Sequence, residues 1–274
     1  MEFGRARFEA DLRWLLECPT LLESAESFPL AEPPASSCEW SAVERFLETR
    51  AAHRVGYYVE SLVQSWLESE KDIAELQHGI QVRREKETLG ELDFLFRRRD
   101  KLHHLEVAMK FYLYYPDGAE NGSRFIGPNA RDSFEKKRDR LLQKQLPFGR
   151  ESFPDIQESS HWVKGLIFYH PEDSREIELP DLLNEKHARG NWIRRAELDE
   201  YLSGWPPGRR GRILKKPYWL FAHGEDLPVT RILSAAEEHF DRWDGPVFLA
   251  GVEEGREVER LFVMPDFWPD ALVG

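Results

Sequence analysis

Between Gly90 and Leu113 the chain reads GELDFLFRRRDKLHHLEVAMKFYL, two runs of alternating polar and apolar residues on either side of the polar stretch Arg97 to Lys101. Alternation with period two predicts two short strands joined by a turn. Successive side chains of a strand point to opposite faces. Glu91 and Asp93 therefore share one face of the first strand, and Leu92, Phe94 and Phe96 share the other. In the second strand His104, Glu106, Ala108 and Lys110 fall on one face, while Leu105, Val107, Met109 and Phe111 make the opposite face almost wholly apolar. Paired as a hairpin, the strands gather three carboxylates and one ammonium on one side of a sheet. Such crowding of like charge is costly unless a cation offsets it. Two or three carboxylates completed by water suit a hard divalent cation such as magnesium.

The 274 residues are enough to bury a large core. No apolar run approaches the roughly 20 residues that span a bilayer, so no membrane partner is expected. The first segment, MEFGRARFEADLRWLLECP, is amphipathic and carries acids, unlike a signal or transit peptide, and a cytoplasmic location is expected. Cys18 and Cys38 lack metal-ligand spacing, which suits a reducing compartment. The formal net charge of -12 argues against a general nucleic-acid-coating protein, because such binding is driven by phosphate neutralisation. A local site is still compatible with it. Basic residues cluster at Arg97 to Arg99, at Lys136 to Arg140 with Lys144, and from Arg209 to Lys216, although each cluster alone also reads as a solvated face.

In chain order, residues 5 to 17 predict a helix with Phe8, Leu12, Leu15 and Leu16 as its apolar stripe, ended by Pro19. Residues 23 to 39 read as a linker rich in Pro, Ser and Ala. Ser41 and Glu44 have the spacing of a capping box and open a helical pattern that runs, broken near Gly56, to about Ser69. Glu60 lies beside its buried stripe, within reach of a cation held on the sheet. A strand over 78 to 85 precedes the hairpin. A loop rich in Gly, Asn and Pro follows it, leading to the basic helix DSFEKKRDRLLQKQL, with Asp132 and Glu135 as caps and Lys137 turned inward between Phe134 and Leu141. A central strand over 164 to 169, a short helix near 196 to 202, a basic turn over 206 to 216, a helix near 231 to 243 and a hairpin of 247 to 252 with 258 to 264 complete the chain. The expected class is α/β (α+β), with a core of helix, three strands, helix and strand, a mixed central sheet and a C-terminal hairpin. Its expected divisions are an N-terminal helix and linker over 1–40, a core over 41–172, and a C-terminal α+β extension of the same domain over 173–274.

This order, with Glu60 on the helix, Asp93 closing GELD and Glu106 opening EVAMK, resembles the PD-(D/E)XK nuclease superfamily. Within it, GYYVE, LGELDFLF, HLEVAMKFYL and GPNARDSFEKKRDRLL are similar to a bacterial family called domain of unknown function 1853. The resemblance implies a restriction-endonuclease-like core and a magnesium- (or manganese-) dependent nuclease that hydrolyses phosphodiester bonds in DNA or RNA held by the local basic segments. Members of the superfamily bind the cation through an acid at the end of one strand and another on the next, where a lysine orients the attacking water. Carried over, Asp93 and Glu106 are ligands and catalytic residues, Glu60 is an outer or second-metal ligand, and Glu91 is a further candidate ligand. The superfamily's lysine stands two residues after the second acid, and here that position is Ala108. The expected substitute that orients the water is Lys110, one pleat further along the same face, unless it merely pairs with Glu106 or Glu91; the second choice is Lys137 from the following helix, whose lysines or glutamines serve the site in some members. A catalytically inactive nuclease-like binding or regulatory module is the alternative that Ala108 and the acidic charge favour.

Overall fold

The alternation on either side of Arg97 is realised as a hairpin of β2 (Glu87–Arg98) and β3 (Lys101–Tyr114), with Arg99 and Asp100 at φ 50° and 66° making its tight turn. A computed structural model describes residues 2–29, 38–117 and 123–270. β1 (Ile73–Arg84) pairs antiparallel with β2 and begins five residues before its sequence pattern. The remaining strands are β4 (Phe125–Ile126), β5 (Glu158–Tyr169), β6 (Ala188–Arg194), β7 (Arg210–Ile213), β8 (Val247–Glu253) and β9 (Arg256–Met264). They form a mixed sheet in the order β1-β2-β3-β5-β6-β9-β8-β7, with β4 on β3. The fold is α/β, and β8 and β9 are the expected C-terminal hairpin.

The chain makes two compact units: Met1–Met109, Lys136–Gly165 and Pro180–Lys186 in the first, and Lys110–Glu135, Leu166–Leu179 and His187–Gly274 in the second. β3 and β5 contribute to both. The boundaries drawn from sequence after residues 40 and 172 each fall inside one unit. In the first unit, α1 (Glu2–Glu17) buries Phe8, Leu12, Leu15 and Leu16, and α3 (Val55–Ser69) buries Tyr58, Val59, Leu62, Val63, Trp66 and Leu67. Asp11 is fully buried there, and its carboxylate accepts the Tyr58 hydroxyl at 2.6 Å. In the second unit, Ile193, Leu198, Ile232, Leu249, Leu261 and Val263 form one apolar cluster, and Phe248 stacks on Phe262 at 4.3 Å. Among the described residues no helix is long and apolar enough to cross a membrane.

Several elements depart from their sequence pattern for identifiable reasons. α2 (Ser41–Leu47) is capped at Trp40 without a side-chain bond, so Ser41 and Glu44 do not close a capping box. The interruption before α3 spans residues 48–54, ahead of Gly56. β6 and β7 carry little alternation: ARGNWIR is held by parallel neighbours β5 and β9, and RGRI, inside the expected basic turn, by β8. Ladder partners impose the strand state there, which local propensity does not encode. Of the expected linker over 23 to 39 and loop after Leu113, residues 30–37 and 118–122 lie outside the described residues.

Two glycines give opposite expectations. A Cβ on Gly190 of β6 would lie 2.5 Å from the Phe168 ring and 2.9 Å from the Arg260 carbonyl, whereas one on Gly56 of α3 meets nothing within 4 Å. Gly190→Ala should cost about 1–3 kcal/mol through overpacking. Gly56→Ala should add up to about 1 kcal/mol through helix propensity. Thermal or urea unfolding of the two variants reads both signs.

Candidate metal centre

β2 and β3 are paired from Arg98 and Lys101 as far as Phe94 and Leu105. One step beyond that last pair stand Asp93 and Glu106. There β2 continues against β1 and β3 runs on to Tyr114, so the two acids sit at a fork. The Asp93 carboxylate bridges the fork by accepting the Val107 backbone N–H at 2.8 Å. The segment after α4 (Phe134–Arg140) roofs it: a π-helical turn, Leu141–Gln145, leads into α5 (Leu146–Ser152). A Cβ on Gly90 of β2 would stand 2.7 Å from the Phe148 ring, and one on Gly149 of α5 would stand 2.3 Å from His104 Nδ1. The absence of side chains at these two positions lets strand and helix close over the acids.

Glu106 is 1% exposed and His104 0%, so neither has water to satisfy it. Protein groups do so for Glu106 and for His104 Nε2, while His104 Nδ1 has no hydrogen-bond partner. His104 Nε2 lies 2.9 Å from Glu106 Oε1, and the Gln145 amide donates to Glu106 Oε2. Lys137 Nζ donates to Gln145 Oε1 at 3.0 Å. An ammonium can only donate, so the amide oxygen faces Lys137 and the NH₂ faces Glu106. From α3, Glu60 is partly buried with its carboxylate 3.5 Å from His78 Nε2 on β1. Burial first, then the charges of Glu106 and Glu60, push the Asp93 carboxyl up to about 8, against the Val107 N–H and the Lys137 charge. Mutual repulsion only partly offset by one lysine is the electrostatic condition that a hard divalent cation relieves, and the all-oxygen donor set fits magnesium or manganese.

A second donor group lies in the second unit. His170, Glu172 and Glu197 are the one group of three among the described residues whose ligand atoms all come within 4.8 Å of one another; the Asp93, Glu106 and Glu60 carboxylates are spread more widely. Internal bonds account for this group. The Glu172 N–H donates to His170 Nδ1 at 3.4 Å, which leaves the proton on Nε2 to meet Glu197 at 3.1 Å. Glu197 Oε2 in turn accepts the Arg194 N–H at 2.5 Å in a capping box. The His170 ring and the Glu197 carboxylate are thus engaged in closing a turn, and Glu172 is exposed.

The fork thus brings together Asp93, Glu106, Glu60 and Lys137. Glu91 is exposed on β2, its Oε1 over Gly79, and is not among the charges that act on Asp93. Lys110 belongs to the second unit, where its ammonium is 2.6 Å from Asp132 and the same carboxylate oxygen accepts the Tyr112 hydroxyl at 3.4 Å. Both cysteines are buried thiols outside any disulfide, and burial pushes the Cys38 thiol up. His104 and Gln145 escaped the sequence reading. His104 shares the acid-bearing face of β3, and that was its only signal. Gln145 had one signal, that glutamines of this helix serve the site in some members of the superfamily the chain resembles, but α-helical spacing turned it away from Lys137.

A mixed α/β chain with buried acids at a strand fork is the class that fold and site define. A family model described as a domain of unknown function, DUF1853, matches residues 10–264, and the chain belongs to that family. No curated protein and no solved structure matches it.

The raised Asp93 value has a definite sign. Between about 4, the usual carboxylate value, and about 8, the folded chain holds a proton that the unfolded chain releases, so this group's contribution to stability falls as pH rises through that window. With a chelator present, Asp93→Asn should melt close to wild type at pH 4. It should exceed wild type by several degrees at pH 8.5. Melting curves across that range provide the check.

Proposed function

We propose that the chain is a metal-dependent phosphodiesterase of the PD-(D/E)XK kind acting on DNA or RNA, with Asp93 and Glu106 as cation ligands and Glu60 approaching from α3. The observation that carries this reading is the placing of Asp93 and Glu106, partly and fully buried, one step past the last β2–β3 pair, with the charges of Glu60 and Lys137 acting on Asp93. Buried, incompletely compensated acids are expensive for a scaffold, and a ligand explains why they are kept. Magnesium or manganese bound there would polarise a phosphoryl oxygen and supply a nucleophile at neutral pH.

The chain's own groups have distinct tasks in this scheme. Asp93, whose carboxyl is pushed up to about 8, would release its proton to solvent in order to hold a cation. Glu106 is kept in one orientation by donors on both oxygens. Lys137 brings positive charge to the place where negative charge builds in the transition state. Its field acts on Asp93 whereas Lys110 is engaged by Asp132, which favours Lys137 as the substitute for the residue missing at Ala108.

The basic clusters differ in how far acids neutralise them. Arg97 pairs with Glu75 at 3.1 Å and Arg98 with Asp72 at 2.8 Å; Arg209 pairs with Glu253 at 2.6 Å and Arg212 with Asp226 at 2.5 Å. Arg140 and Lys144 are exposed, four residues apart, on the segment that also bears Lys137 and Gln145. They support a local contact with phosphates beside the fork, and such a contact weakens with salt.

Wild type should cleave single- or double-stranded DNA or RNA at low salt with manganese. Asp93→Ala with Glu106→Ala should abolish both cleavage and saturable cation uptake. Lys137→Ala should slow cleavage by about 10²–10³, the usual cost of losing one charge-stabilising donor, and Lys110→Ala should have a smaller effect. Cleavage that persists without Asp93 would sink the proposal. Salt-sensitive binding without cleavage would support the inactive binding module instead, which Ala108 and the formal charge of -12 favour.

A further inference from the structure

We infer that Gln145 and His104 are positioning residues for the Glu106 carboxylate, and that the π-helical turn exists to bring Gln145 into line with Lys137. The inference rests on the reading of the fork as a cation site. Each Glu106 oxygen meets one nitrogen: His104 Nε2 on Oε1 at 2.9 Å, and the Gln145 amide on Oε2. An ionised carboxylate oxygen has room for both a hydrogen bond and a cation, since it carries two lone pairs. The two donors therefore leave ligand capacity on Glu106 while removing its rotational freedom.

Each clamp is itself held. Lys137 fixes which way the Gln145 amide faces. His104 is buried, its Nδ1 has no hydrogen-bond partner, and the backbone of Gly149 stands against that edge of the ring. With Nδ1 unsatisfied, the ring's proton belongs on Nε2, where Glu106 accepts it. Helix geometry explains the π turn. At about 100° per residue, eight α-helical residues would leave Gln145 roughly 80° around the axis from Lys137. The wider turn over Leu141–Gln145 advances less per residue and brings the two side chains together. Outer groups of this kind typically alter cation affinity about 10–100-fold when removed.

The experiment is calorimetric titration of the full chain with manganese, supported by circular dichroism and melting of each variant. Gln145→Ala and His104→Leu should weaken manganese binding about 10-fold or more. His104→Gln, whose amide can reach the Nε2 position, should restore affinity to within a few-fold of wild type. Should His104→Leu fail to fold, Gln145→Ala and His104→Gln carry the test. Wild-type affinity in a folded Gln145→Ala overturns the role of Gln145 and leaves the cation site standing. Equal losses in His104→Gln and His104→Leu show that ring packing, not the donor, matters and overturn the role of His104. No saturable manganese uptake by wild type overturns the cation site and this inference together.

Discussion

Desolvated like charge at the end of a strand ladder is the constraint on which the first unit depends. Asp93 and Glu106 occupy the first positions past the last β2–β3 pair, where the backbone no longer dictates the spacing of the two strands. A ladder continued through these residues would force two carboxylates together on one face. The fork separates the strands instead, and the Asp93 side chain spans the gap to Val107. Glu60 and Lys137, from helices on either side of the hairpin in sequence, then set the charge balance of the fork.

That balance explains the local chemistry of the roof. A helix could not approach the acids if Gly90 or Gly149 carried a side chain, and a regular α-helix would not present Lys137 and Gln145 together. Glycine in the short helix α5 and a π turn both sacrifice some local stability. The offset is a hydrogen-bond network running from Lys137 through Gln145 and Glu106 to His104. Such a network is strong only while every member is satisfied, because an unpaired buried polar group costs far more than an exposed one. His104 Nδ1 is the one atom of the network left without a partner.

The second unit follows a different logic. Its core is aromatic and aliphatic, with Phe248 stacked on Phe262 and Trp219 edge-on to both. Several of its charged groups are matched in pairs, as in Arg209 with Glu253 and Glu259, Arg212 with Asp226 and His170 with Glu197. Pairing of this kind engages Arg209 and Arg212 of the basic run over 209 to 216, while Arg210, Lys215 and Lys216 stay exposed. A run of arginines reports charge density along the chain, while availability depends on acids that are distant in sequence.

Period-two alternation was enough to determine the hairpin, its apolar face and the placing of His104, Glu106, Ala108 and Lys110 together on the other, because side-chain direction in a strand follows from backbone geometry alone. The helical stripes around Glu60 and Lys137 were legible for the same reason. Only the tertiary structure decided where the β2–β3 ladder ends, and hence that Asp93 and Glu106 face a fork. It alone placed Lys110 against Asp132 and made a π turn that swings Gln145 over Glu106. β6 and β7 were likewise hidden, since their strand state comes from β5, β9 and β8 rather than from their own residues. Sequence encodes which face a side chain takes within its element; the partners it meets there depend on how elements stop, bend and close on one another, and those are set by packing over long sequence separations.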